Sequence, residues 1–213
     1  MIHNKDTSFR IAEELLKIKA IKLSLQNPFN WASGWQSPIY CDNRITLSYP
    51  AVRTYIRQQF CTAILDHFGK PDVIAGVATG GVPQGVLVAQ ELGLPFIYIR
   101  GNAKEHGMGN LIEGLYEAGQ KVVVIEDLIS TGGSSIKAVD SLREAGLIIK
   151  GLAAIFTYGF SLAERSFEKA ECPFITLSDY DTLIEQALSS NYINANELAE
   201  LKKWKDNPAS WNK

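Results

Sequence analysis

Two acids, Glu126 and Asp127, end an apolar run, and small or hydroxylated residues follow them in KVVVIEDLISTGGSS, Lys121 to Ser135. Ser130, Thr131, Gly132, Gly133 and Ser134 stand between an expected strand and an expected helix, where free backbone N–H groups and the positive end of the helix dipole converge. That is an anion site. Glycines let the backbone approach closely, and the hydroxyls add donors suited to phosphate oxygens. No Lys follows the glycines and no G-x-G-x-x-G is present, so neither a nucleoside triphosphate nor a dinucleotide is implied. By itself the run serves equally well as a flexible turn and helix cap. The acids decide between the two. Adjacent carboxylates at the end of a buried strand repel each other and lose solvation, so they are expected to face hydroxyls or a metal. A phosphate cradle beside two carboxylates suits a ribose phosphate, with the turn on the 5′-phosphate and the acids on the 2′- and 3′-hydroxyls.

Two further turns carry chemistry. GVATGGVP, Gly76 to Pro83, again leads from a strand through glycines into a helix, so Thr79 and Gly80 offer a second set of N–H groups; its bland alternative is a tight strand–helix turn. RGNAKEHGMGNLIEG, Arg100 to Gly114, has four glycines, two asparagines and little apolar content. Its length suits a lid, placed at about 101–114. Arg100, Lys104 and His106 fall within seven positions of it, enough positive charge to close over an anionic leaving group and exclude water.

Something must bring these turns together. PAVRTYIRQQFCTAILDHFG opens with Pro50 and spaces Val52, Ile56, Phe60 and Ala63 as a helix that Gly69 stops. PDVIAGVATGG, LPFIYIR, KVVVIEDL and IIKGLAAIFTY read as four strands, with VPQGVLVAQELG and GSSIKAVDSLREAG as helices among them. Such alternation implies an α/β fold: a central parallel sheet flanked by helices, with ligands at the carboxyl ends of its strands. The amino terminus reads as an amphipathic helix with Ile11, Leu15 and Ile18 on one face, and the tail from Tyr180 reads as two helices.

Composition narrows the partners. The 213 residues are 46% hydrophobic and 21% charged, which suits one domain with an appendage. A net charge of −2 with scattered Lys and Arg gives no footprint for nucleic acid or an acidic membrane surface. No apolar run approaches the roughly 20 residues of a membrane span, and the amino terminus lacks a signal peptide's apolar centre, so a cytoplasmic location is expected. Cys41, Cys61 and Cys172 are too far apart for a CxxC pair and odd in number, so they are expected to be incidental thiols.

On these residues the chain resembles a known family. VVVIEDLISTGG is similar to the phosphoribosyl-diphosphate (PRPP) motif of the type I phosphoribosyltransferases. AKEHG resembles the lid of the orotate phosphoribosyltransferases, and the segment Asn27 to Arg44 resembles their base-covering hood through Ser33, Gly34, Ser37, Pro38, Tyr40, Asp42 and Arg44. With GNLIEG, FTYGF and WKDNPASW the likeness runs from about residue 20 to the end, closest to bacterial members. The resemblance implies a single domain over 1–213, with an amino-terminal helix and hood to about residue 48, and the core and carboxyl-terminal helices from about 49. It implies PRPP contacts from Thr79, Gly80, Arg100, Lys104, His106 and Glu126 through Ser134, including Leu128 and Ile129. Ser130 and Tyr40 would contact orotate. Arg100, Lys104, His106 and Asp127 would be catalytic.

The same resemblance implies Mg²⁺ carried by PRPP with no direct protein ligands, and a homodimer whose lid reaches the neighbouring site. Four positions depart from the common pattern. Ala32 and Gly80 stand where many members have Lys, Gly101 replaces a basic residue after Arg100, and Tyr158 replaces an Arg after the fourth strand. Backbone N–H groups and Ser130 are then expected to take a larger share of diphosphate and carboxylate recognition. Two alternatives stay open: a phosphoribosyltransferase for another base, against which AKEHG and SPIYCDNR argue, and a non-catalytic PRPP-sensing regulator, for which a nucleic-acid-binding surface is lacking.

Overall fold

The computed structural model describes residues 1–31, 34–101 and 111–211. Asn4 opens helix α1 (Lys5–Lys17) by accepting the Thr7 N–H at 3.0 Å, and Ile11 and Leu15 of that helix are fully buried. Four short strands follow: β1 (Ile21–Leu23), β2 (Phe29–Asn30), β3 (Gln36–Ser37) and β4 (Ile39–Cys41). β1 pairs with β4 and β2 with β3, both antiparallel, and a 3₁₀ turn over Asn43–Ser48 closes this hood. Pro50 begins α2 (Pro50–Phe68), where its missing N–H would have had no helical partner. The rest of the described chain is β5 (Val73–Val77), α3 (Gly81–Leu92), β6 (Phe96–Ile99), β7 (Ile112–Glu113), β8 (Lys121–Ile129), α4 (Gly133–Glu144), β9 (Ile148–Thr157), α5 (Ser161–Lys169), β10 (Phe174–Asp179), α6 (Tyr180–Ser189) and α7 (Ala195–Asp206).

One sheet organises the molecule, in the order β10-β9-β8-β5-β6-β7, parallel throughout except for β6 against β7. β8 shows why its sequence is apolar without interruption: both faces are covered. Val123 and Ile125 enter a core shared with Ile56 of α2, Val88 of α3, Ile184 of α6 and Trp204 of α7. Val122 and Val124 enter a second core with Val139 of α4 and Phe167 of α5.

The expected four strands are all present, but the sheet has six. The stretch between residues 158 and 180, which has no clear periodic signal, supplies α5 and the edge strand β10, and β7 adds a two-residue antiparallel edge. FITLSD is too short a run to declare itself; pairing with β9 makes it a strand. The expected amino-terminal helix packs on β10 and α6, where Ser178 Oγ donates to Ser8 O at 2.9 Å. The tail helices meet different neighbours. α6 lies against α1, whereas α7 reaches the hood, with Trp204 Nε1–H donating to Gln36 O at 3.2 Å.

Candidate active site

The expected turns gather at the carboxyl ends of β5, β6 and β8. After β8 the chain passes through Ser130 and Thr131 to Gly132, whose φ of +83° lies in the left-handed region. A side chain there would be strained and its Cβ would sit 3.1 Å from the Phe167 ring, so the tight entry into α4 needs glycine. α4 starts at Gly133 and presents its first N–H groups at this turn. The turn thus has the strand–glycine–helix geometry expected from its residue types.

The two acids differ in setting. Glu126 is 5% exposed; its carboxyl accepts the Ser135 hydroxyl at 3.2 Å and the Asp127 N–H at 3.0 Å. Burial pushes it well above the usual carboxylate range, and the neighbouring charge of Asp127 adds to the rise. An acid with a raised folded-state pKa binds its proton more tightly folded than unfolded. Its contribution to stability therefore grows as pH falls through the window between the raised value and the ordinary one near 4.3, and is lost as pH rises. Gln is isosteric with the protonated acid, so Glu126→Gln should keep the fold and flatten the pH dependence of Tm above the ordinary carboxylate range. Thermal melts of both proteins above that range check this; an unchanged slope would assign the dependence to other groups.

Asp127 is half-buried at the mouth of the site. Its carbonyl accepts Asn43 Nδ2 at 2.6 Å, which ties the end of β8 to the hood. Its carboxyl lies directly on Gly80, where a Cβ would fall 2.2 Å from Asp127 Cγ. A side chain at position 80 would have to displace that carboxylate, so glycine leaves the space to the acid. The Ala78–Thr79 peptide preceding it is cis, and Thr79 is exposed.

A cavity of about 530 Å³ opens between hood and sheet. Tyr40 and Ser130, both expected at the base, line it together with Leu128 and Thr131. Asn30, Trp31, Trp35, Cys41 and Tyr158 complete the wall. Trp31 and Trp35 also pack: Trp31 lies 4.9 Å from the Tyr158 ring and donates Nε1–H to Ile39 O at 3.1 Å, and Trp35 lies 6.3 Å from Phe160. The aromatic residues of the hood thus hold it closed and line the cavity at once.

A second cavity, of about 280 Å³, has Ala78, Arg100, Gly101, Ser134 and Lys137 among its lining residues. Arg100 Nη1 is 3.6 Å from Glu113 Oε1. Lys104 and His106 lie outside the described residues, as does Ala32. Of the other expected contacts, Ile129 is fully buried, and its carbonyl accepts the Tyr158 N–H at 3.1 Å. Sequence reasoning passed over Asn43 and Lys137. Lys137 had a signal, standing one helical turn after Gly133. Asn43 had none beyond lying between Asp42 and Arg44, which pair with each other at 2.7 and 2.9 Å.

No group of three or more His, Cys, Asp or Glu among the described residues forms a metal cage.

The phosphoribosyl transferase domain family matches residues 45–180. The orotate phosphoribosyltransferase of Bacteroides fragilis is 54% identical over 200 residues, covering 94% of each chain. That of Listeria innocua is 53% identical over 204 residues, 96% of this chain and 98% of the relative. Among solved structures, orotate phosphoribosyltransferase from Aeropyrum pernix superposes with a TM-score of 0.75 at 25% identity, over 86% of this chain and 99% of that one. Leishmania donovani UMP synthase gives a TM-score of 0.79 at 27% identity, over 95% of this chain and 43% of that one.

Proposed function

The chain belongs to the phosphoribosyltransferase family, among the orotate phosphoribosyltransferases, and from that premise we propose that it transfers ribose 5-phosphate from PRPP to orotate, giving orotidine 5′-monophosphate and diphosphate. It is thus an enzyme of pyrimidine nucleotide synthesis. The observation that carries the assignment to these residues is that one turn, Ser130 to Ser134, borders both cavities: Ser130 and Thr131 the aromatic one, Ser134 the one beside Arg100. A phosphate held on that turn leaves the sugar at Asp127, with a planar base to one side and a diphosphate to the other.

The reaction forms a bond from the orotate ring nitrogen to the anomeric carbon and breaks the bond from that carbon to the diphosphate oxygen. Orotate brings an ionisable ring nitrogen, so no strong protein base is required. The barrier lies in charge separation: the ribose gains oxocarbenium character while negative charge grows on the leaving group. Asp127 orients the sugar hydroxyls and favours the positive ring. Arg100, with Lys104 and His106 of the lid, stabilises the departing diphosphate. Mg²⁺ bound with PRPP supplies further neutralisation of diphosphate charge. The working unit is a homodimer in which each lid serves the neighbouring site. Among the described residues no helix is long and apolar enough to cross a membrane; action in the cytoplasm is part of the same proposal.

Diphosphate release from PRPP, Mg²⁺ and a panel of bases tests the assignment. Orotate should be consumed; consumption of adenine or xanthine in its place would reassign the base, and no release with any base would favour a PRPP-binding regulator. Asp127→Asn should raise the KM for PRPP about tenfold, the scale of losing a charged hydrogen-bond acceptor, while the melting temperature holds. Loss of the folded state would instead give Asp127 a structural role.

A further inference from the structure

One buried amide joins the hood to the end of β8. Asn43 is 1% exposed, although it lies between Asp42 and Arg44, which pair with each other at the surface. Both ends of its side chain have partners. Nδ2 donates to Asp127 O at 2.6 Å, and Oδ1 accepts the Cys41 thiol at 3.4 Å. Cys41 is a wall residue of the aromatic cavity, so this amide touches the base side of the site at one end and the acid that meets the sugar at the other.

The sheet explains why Asp127 needs such a partner. β5 pairs with β8 no further than Ile125, so beyond that residue this edge of β8 has no strand beside it. The backbone groups of Asp127 turn to side chains instead, its N–H to Glu126 Oε1 at 3.0 Å and its carbonyl to Asn43. Asn43 is held in its turn. Its carbonyl accepts the Thr46 hydroxyl at 2.6 Å, and Thr46 Oγ1 accepts Gln84 Nε2 at 3.1 Å. Gln84 belongs to α3, which begins directly after Gly80, the residue on which the Asp127 carboxyl lies. The contacts therefore close a ring that leaves Asp127 through its carbonyl and returns to it at its carboxylate. Thr46 and Gln84 are as deeply buried as Asn43, and bonds in such an enclosed network resist rearrangement. Gln84 Oε1 is also buried, with no hydrogen-bond partner among the described residues. An apolar residue would avoid the cost of that oxygen, so packing alone does not account for an amide at position 84.

We propose that Asn43 is a positioning residue for the transfer reaction: it fixes the Asp127 peptide, and with it the direction of the Asp127 carboxylate toward the ribose, against the wall of the base cavity. This rests on the reading of the site as one for PRPP. The hood that covers the base and the acid that meets the sugar are then set by a single side chain.

A double-mutant cycle tests this. Asn43→Ala should lower kcat/KM for PRPP about tenfold, and no more than Asp127→Asn does, because one residue acts through the other. In an Asp127→Asn background the same change should cost less than about twofold further, whereas independent roles would multiply to about 100-fold. Multiplied losses would overturn the proposal, and so would a loss confined to the KM for orotate, which would leave Asn43 only holding the hood. Should Asn43→Ala not fold, Thr46→Val removes the next bond of the ring and carries the same cycle with the same outcomes. If the wild type releases no diphosphate from PRPP with any base, the functional reading falls and takes the proposal with it; multiplied losses in an active wild type overturn the proposal alone.

Discussion

Replacing Trp204 by alanine should cost about 3–5 kcal/mol, the range for truncating a buried aromatic side chain, and lower Tm by roughly 6–20 °C for a domain of this size. Trp204 is fully buried on α7, yet its partners come from three separate parts of the chain. Its ring lies 5.6 Å from Trp31 of the hood, 5.7 Å from Phe160 after β9 and 5.4 Å from Tyr180 at the start of α6. Truncation also leaves Gln36 O without the indole donor it accepts at 3.2 Å. The hood itself consists of two short ribbons, which are marginal without packing against something larger. Loss of the anchor should therefore loosen the base cavity as well as the fold, raising the KM for orotate more than that for PRPP. Trp204→Phe should recover most of the stability. Urea denaturation combined with steady-state kinetics measures both effects, and a loss below about 1 kcal/mol would show that the hood is held by other contacts.

Lys104→Ala should lower kcat by about 10²-fold or more, with no change in Tm, the scale for losing one preorganised contact to developing negative charge. The chemistry supplies the reason. Diphosphate gains charge as its bond to the anomeric carbon stretches, so a cation that meets it then acts on the transition state more than on bound PRPP. The fall should appear mainly in kcat, whereas loss of a ground-state contact would appear mainly in KM. Mixing Lys104→Ala subunits with subunits inactive through Asp127→Ala gives a second readout. If lids serve the neighbouring site, hybrid dimers regain an intact site made of the wild-type lid of one subunit and the wild-type turn of the other. Near-normal turnover in Lys104→Ala would remove this residue from the mechanism, and absence of rescue would place each lid over its own site.

Local signals carried much of this protein. The strand–helix alternation, Pro50 and Gly69 at the ends of α2, and the acid–hydroxyl–glycine run after β8 are all short-range features, and each acts through backbone conformation or a periodicity of a few residues. They suffice to place the glycine turn that opens α4, because a helix N-terminus after a parallel strand presents its N–H groups whatever else the chain does. Other features depended on contacts between distant residues. Whether FITLSD is a strand was decided by its pairing with β9, and which tail helix reaches the hood was decided by Trp204. That Glu126 turns to Ser135 is decided within the folded β8–α4 turn, whereas the room Gly80 leaves for the Asp127 carboxyl and the grip of Asn43 on the end of β8 follow from close packing of segments far apart in sequence. Periodicity and residue type state what a segment can do locally, but burial, pKa and the lining of a cavity are properties of neighbours brought together only when the chain is folded.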